Sequence, residues 1–211
     1  DASARWDVII SEPSNPWVAG NAGLFSVDFF DLLRRHVSDG GVVAQWVQRY
    51  ETNDALLTMI IRSFQAVFPH VTVWQLYPTD LLLVGSSSPL EPDVTLMGQR
   101  VSRQAVTADL KRAGLPALHG VLSLQALTET GVRQVLSSPG PVNTDDLPLL
   151  EFEAPRGLFD GARAQLVSAH DVRVGRTDAT ELLAAAAALG CRFATAFRAL
   201  TARARLSAGG W

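Results

Sequence analysis

The run WDVIISEPSNPW, from Trp6 to Trp17, constrains the fold of this chain more than any other stretch. Its start, Trp6 to Ser11, reads as a continuous apolar strand of the kind buried on both faces of a parallel sheet. An acid, Glu12, follows at once, and Pro13, Ser14, Asn15 and Pro16 then build a turn. The strand therefore delivers a carboxylate to its own tip.

Helix and strand signals alternate after that turn. Ser26 and Asp28 mark a helix start, with a hydroxyl to cap free N–H groups and an acid favoured by the helix dipole. Phe29, Phe30, Leu32, Leu33 and Val37 supply its buried face, and Asp39, Gly40 and Gly41 are expected to end it. VVAQWVQ from Val42 is a second strand. Asn53 is expected to cap a helix in which Leu56, Leu57, Ile60, Ile61, Phe64 and Val67 recur at helical spacing up to Pro69. VTVWQL and LLLVGS are two strands joined by the turn YPTD.

This order is α/β, the C-terminal half of an open sheet with an antiparallel pair at its edge. Such a sheet binds its ligand beyond the C-terminal ends of its strands, which puts Glu12 where chemistry belongs. The glycine-rich turn of a first half is not in the sequence, nor is an initiator methionine. The chain is accordingly expected to be a segment of a longer protein that begins in mid-fold.

Residues 86 to 93 read as a linker. TADLKRAGL and LSLQALTETGVRQVL then carry helical signals, the second with Leu122, Leu124, Leu127 and Val132 on a broad face. SPGPVNTDDLPLLEFEAPRGLF is dense in turn formers and acids, and Thr180 to Leu206 reads as an Ala/Arg helix. The expected organisation is a half-sheet domain over 1–88, a helical extension over 89–159 and an Arg/Ala-rich tail over 160–211.

Several function classes are disfavoured. A single cysteine, Cys191, forms no internal disulfide and suits an intracellular setting. With one Cys and four widely spaced histidines, His36, His70, His119 and His170, no metal site is expected. There is no signal peptide, no apolar run of about 18 residues to span a bilayer, no P-loop and no G-x-S-x-G elbow. Residues 156–211 carry eight Arg against four acids, and residues 1–155 carry ten basic residues against seventeen acids. An acidic body disfavours nucleic acid and suits a cationic ligand, although a solvated acidic surface explains it equally.

Two segments carry a resemblance. DVIISEPSNPWVAGNAGLFSVDFFDLLRRHVSDGGVVAQWVQ resembles the spermidine synthase (polyamine aminopropyltransferase) family, and more closely its homologues fused to membrane transporter-like segments. NTDDLPLLEFEAPRGL resembles a second segment of those fused homologues. The likeness spans roughly residues 5 to 159 and does not reach the tail.

The resemblance implies a Rossmann-like methyltransferase sheet followed by a helical extension. It implies transfer of an aminopropyl group from decarboxylated S-adenosylmethionine to a small-molecule amine such as putrescine, in polyamine biosynthesis and without a metal. An alkylamine with a pKa near that of lysine, about 10.4, arrives protonated and cannot attack. A carboxylate must bind the cation and take its proton.

In the family an Asp-x-x-Asp-Pro stretch does this, the first acid as base and the second as amine anchor. The matching residues here are Glu12 and Asn15, followed by Pro16. Glu12 keeps the chemistry of a base, whereas Asn15 holds no cation by charge, which departs from diamine recognition. Gln45 matches a family position near the co-substrate, and Tyr77, before Pro78, matches a tyrosine that lines the amine pocket. Asp145 and Asp146 are acids that can attract an amine or a sulfonium.

Each residue has a plainer reading: Glu12 satisfied by turn amides, Asn15 as turn chemistry, Gln45 satisfied within the sheet, Tyr77 as packing, and Asp145 and Asp146 as helix caps or partners of Arg156. The nucleoside side of the site would come from outside this chain, so little catalysis is expected of it alone. A homodimer is among the expected assemblies. The expected location is the cytoplasm, or the cytoplasmic face of a membrane if spans lie upstream. Two alternatives stand beside this reading: an S-adenosylmethionine-dependent small-molecule methyltransferase, and a non-catalytic domain of a transporter-fused protein.

Overall fold

A computed structural model of the chain describes residues 4–115, 117–161 and 163–167. Its chain order is β1 (Trp6–Ser11), a 3-10 turn (Ala22–Phe25), α1 (Val27–His36), β2 (Val37–Gln48), α2 (Asp54–Val67), β3 (His70–Tyr77) and β4 (Asp80–Ser86). Then come α3 (Val94–Val101), α4 (Gln104–Arg112), α5 (Ala117–Leu122), β5 (Gln125–Leu127), α6 (Glu129–Val135) and α7 (Leu149–Asp160). The fold is mixed α/β around one five-stranded mixed sheet in the order β1-β2-β4-β3-β5. β1 and β2 are parallel, and the other neighbours are antiparallel.

The caps explain why the helices start where they do. Ser26 Oγ accepts from the Phe29 amide at 3.1 Å, and Asn53 Oδ1 accepts from the Leu56 amide at 2.9 Å. Both satisfy amides that a helix leaves without an internal partner. The YPTD turn forms as expected, with β3 ending at Tyr77 and β4 starting at Asp80.

One sheet face is closed. Val43 and Val47 of β2, Leu81 and Leu83 of β4 and Val71 and Val73 of β3 lie on it, and all are buried. Phe30 of α1 and Phe64 of α2 pack edge to face with centroids 4.9 Å apart, and Phe68 continues the stack at 4.8 Å from Phe64. Gly85 of β4 makes room for them, since a Cβ there would lie 2.5 Å from the Phe64 ring.

The structure corrects four expectations. β1 is not buried on both faces: it is an edge strand, and Trp6, Val8 and Ile10 remain 59%, 55% and 71% exposed. Only β2 adjoins it, and the face opposite α1 and α2 is open at these positions. Asp39, Gly40 and Gly41 do not end α1, which stops at His36; they lie inside β2. There Gly40 adopts a φ of +74°, and the ladder jumps from Trp6 opposite Val37 to Val8 opposite Val42.

The stretch LSLQALTETGVRQVL is not one helix either. Leu122 closes α5, Leu127 belongs to β5, and Thr128 caps α6 by accepting from the Gly131 amide. The edge beyond the antiparallel pair is therefore occupied by β5, paired to β3 through Val73 and Leu127.

Contacts divide the described residues into two compact units, residues 4–91 with 124–167 and residues 92–123. The first holds the sheet, α1, α2, α6 and α7, so residues 124–159 of the expected helical extension pack with the sheet domain. The described part of the second holds α3, α4 and α5, where Asp93 caps α3 through the Leu96 amide. Most of the tail over 160–211, residues 168–211, lies outside the described residues. Among the described residues no helix is long and apolar enough to cross a membrane.

Candidate functional site

The C-terminal ends of β1, β2 and β3 share one end of the sheet. Ser11, the last residue of β1, lies opposite Gln45 of β2, and Gln48, the last residue of β2, lies opposite Asp80 beside the Tyr77 to Asp80 turn. α1 links two parallel strands, so its first turn lies at this end as well. Glu12, Asn15 and Tyr77 thereby lie toward one end of the sheet, Gln45 lies inside β2 before that end, and the Asp145 amide donates to Asp28 Oδ2 in the first turn of α1.

Glu12 is exposed, and its carboxylate meets no hydrogen-bond or ion-pair partner among the described residues. Two amides of the following loop bond elsewhere: the Val18 amide donates to Asn15 O at 3.0 Å, and the Gly20 amide donates to the Glu151 carboxylate at 3.1 Å. The second bond ties the loop after β1 to α7.

Asn15 is engaged on both of its oxygens. Its carbonyl accepts from Val18 and from Asn21 Nδ2, and its Oδ1 accepts from the Tyr50 hydroxyl at 3.3 Å. Tyr50 is in turn packed edge to face on Trp17, with centroids 5.6 Å apart and planes at 71°. Sequence reasoning assigns neither Tyr50 nor Trp17 a role at the site; the available signal is an aromatic in the loop after each strand.

Gln45 is fully buried on the closed face. Its Nε2 donates to Trp46 O at 3.2 Å, while its Oε1 has no partner. Gln48, also fully buried, has neither amide atom partnered, and Thr52 Oγ1 is in the same position. Buried polar atoms without partners are costly, so four of them on three residues near one strand end, unpartnered among the described residues, set this place apart from ordinary packing.

Arg49 pins the turn between β2 and α2. Its guanidinium, 2% exposed, donates to Ala164 O through Nε and Nη2 and to Pro78 O through Nη1. Burial lowers its pKa, as does nearby Arg163, while Asp54 opposes them. Glu51 in this turn adopts a left-handed φ of 52°.

The remaining candidates stand apart from this contact network. Tyr77 is 68% exposed at the hairpin tip. The side chains of Asp145 and Asp146 are exposed, and Arg156 pairs with Glu153 rather than with either of them. The residue of that segment with a defined structural role is Asn143, buried between α2, α7 and the 3-10 turn. Among the described residues no group of His, Cys, Asp and Glu is arranged to hold a metal ion.

No family model and no curated protein matches the chain. Among solved structures the chain is similar to a probable spermidine synthase from Corynebacterium glutamicum ATCC 13032, with 20% identity and a TM-score of 0.45 over 68% of this chain. The chain spans about half the length of that protein, since the match covers 50% of it. The likeness is a distant structural resemblance.

Proposed function

We propose that Glu12, Asn15 and Tyr50, which follow the C-terminal ends of β1 and β2, form the amine side of an aminopropyl-transfer site. The observation that carries this reading is the carboxylate of Glu12, unpartnered among the described residues, just after a parallel strand and three residues before an asparagine held by Tyr50. A carboxylate so placed can bind a protonated amine and accept its proton, and the freed nitrogen lone pair can then attack a carbon.

Decarboxylated S-adenosylmethionine, as co-substrate, would supply a methylene activated by an adjacent sulfonium. The new N–C bond forms as the C–S bond breaks; the bonding pair neutralises the sulfur and the amine proton rests on Glu12. Gln45 Oε1, unpartnered among the described residues, fits the donor side because it offers an acceptor in a buried setting. Tyr77, Asp145 and Asp146 would meet the incoming cation at the exposed surface. The residues that grip the nucleoside would lie outside this chain.

The test uses the intact protein. Decarboxylated S-adenosylmethionine and S-adenosylmethionine are titrated by calorimetry, and aminopropyl and methyl transfer are assayed on a panel of amines, with Glu12→Gln as control. Preference for the decarboxylated form, with turnover lost in Glu12→Gln, supports the proposal. Methyl transfer instead moves the assignment to a methyltransferase, and binding of neither nucleoside leaves a non-catalytic domain.

A further inference from the structure

Resting on the amine-site reading above, we propose that Glu151 of α7 is a positioning residue for Glu12: it latches the turn that follows Glu12 and so fixes where the Glu12 carboxylate stands. Glu151 lies in the first turn of α7 and is half-buried. Its two carboxylate oxygens stand 3.1 and 3.3 Å from one backbone donor, the Gly20 amide, 131 residues back in the chain. Among the described residues it joins no ion pair, in contrast to Glu153 two positions on, which pairs with Arg156 of the same helix.

What Glu151 holds is a small braced body. Between Asn15 and Asn21 the chain is tied from within: Asn15 O accepts from the Val18 amide at 3.0 Å and from Asn21 Nδ2 at 3.4 Å, and Val18 O accepts from the Asn21 amide at 2.9 Å. Gly20 contributes a left-handed φ of 84°, which glycine adopts without strain. Among the described residues, two side chains from other elements hydrogen-bond to this body. One is Glu151; the other is Tyr50, whose hydroxyl donates to Asn15 Oδ1 at 3.3 Å and whose ring meets Trp17 edge to face.

Glu12 is separated from that body by Pro13 and Ser14 alone, and on its other side Ser11 is fixed opposite Gln45 in the sheet. The link is short, and with φ locked at Pro13 it is too stiff to absorb a shift of the turn. A carboxylate suits the latch, because a charged acceptor strengthens the bond from a backbone N–H and the N-terminal end of α7 favours negative charge. Without Glu151 the exposed Gly20 amide would bond to water. The fold would then persist while the turn swings on its remaining contact with Tyr50.

Two measurements on the intact protein test this, and the first needs no turnover. The tryptophans are replaced by 5-fluorotryptophan, and the 19F signal of Trp17, assigned through Trp17→Phe, is followed. Glu151→Ala should shift that signal and leave those of Trp46 and Trp74 in place. Glu151→Gln, which keeps an acceptor oxygen at the same reach, should restore it, and Glu153→Ala should change nothing. A Trp17 signal unmoved in Glu151→Ala overturns the proposal. A selective shift in a protein that transfers no aminopropyl group retains the latch and removes the enzyme reading.

The second measurement separates kcat from KM for aminopropyl transfer. Misplacing a reacting group by about 1 Å costs about 10²-fold, so Glu151→Ala should lower kcat on that scale and Glu151→Gln should recover most of it. The KM for decarboxylated S-adenosylmethionine should stay unchanged. In a Glu12→Gln background the Glu151→Ala change should cost little further, because the group it positions is already gone. An unchanged kcat in Glu151→Ala overturns the proposal, and so does an equal loss in both backgrounds, which would mean that Glu151 acts other than through Glu12.

Discussion

The buried amide of Asn143 donates to Ser63 Oγ at 2.8 Å, joining the segment before α7 to the middle of α2. Asn143 then spends every polar group it has. Its Nδ2 donates to Ala22 O at 2.9 Å, its Oδ1 accepts from the Leu150 amide at 3.0 Å, and its carbonyl accepts from the Val27 amide. One side chain thus fixes the 3-10 turn and the start of α7, while its backbone fixes the start of α1.

Truncating that residue should cost more than its size suggests. Asn143→Ala strands two buried backbone groups, Ala22 O and Leu150 N–H, at about 1–3 kcal/mol each, so a loss of roughly 2–5 kcal/mol is expected in chemical denaturation. Ser63→Ala removes the acceptor of the Asn143 amide and should cost about 1–2 kcal/mol. The double variant should lose less than the sum, because the two changes break one network. Strict additivity would show that the network is not shared.

Gly157 of α7 sits where no side chain fits. A Cβ there would lie 2.3 Å from the Glu51 carbonyl oxygen, which is backbone in a left-handed turn and cannot swing aside. Gly157→Ala should therefore displace α7 or the turn that carries Tyr50, at about 1–3 kcal/mol of stability. Denaturation midpoints check the stability. The Trp17 and Tyr50 environment, followed by fluorescence, should change in the same variant and stay unchanged in a control at Gly98, where a Cβ meets nothing.

Asp31 on α1 offers a pH test. Hydrogen bonds from Arg34 and then Arg35 lower its pKa below the ordinary aspartate value. A lowered folded-state pKa means that the stabilisation is complete above the unfolded value, about 3.9, and is lost as pH falls through the lower folded value. The pairs are exposed, so the effect is small: Asp31→Asn should cost about 0.3–0.5 kcal/mol at neutral pH and nothing below the folded pKa. Stability measured from pH 7 to pH 2 should show the two proteins converging at the acid end.

Local chemistry made some of this fold legible in the sequence and tertiary pairing hid the rest. Ser26 and Asn53 were readable as caps because a cap needs only its own next turn. β5 was not, because Gln125–Leu127 is too short to show a period and becomes a strand only by pairing with β3. The apolar run of β1 signalled a strand correctly but not its surroundings, since exposure depends on what lies beside it. At the site, Glu12 could be singled out by its place after a strand, and Asn15 only through the resemblance to the aminopropyltransferase motif. The bond from Tyr50, thirty-five residues away, is a tertiary contact that no spacing announces. The NTDD segment drew attention to its acids, whereas its buried structural residue is Asn143.

Glu12→Gln separates structure from chemistry. The carboxylate is exposed and has no hydrogen-bond or ion-pair partner among the described residues, so the amide should change stability by no more than about 0.5 kcal/mol. If Glu12 takes the proton of the amine, its loss should reduce kcat/KM by about 10²–10⁴-fold at neutral pH. That deficit should narrow as pH rises towards the pKa of the free amine, about 10.4, because more of the acceptor then arrives already deprotonated. Activity equal to wild type at neutral pH would remove Glu12 from the proton transfer. A deficit that stays constant across pH would instead show that Glu12 acts on something other than the protonated amine, since both proton transfer and charge binding lose their object as the amine deprotonates.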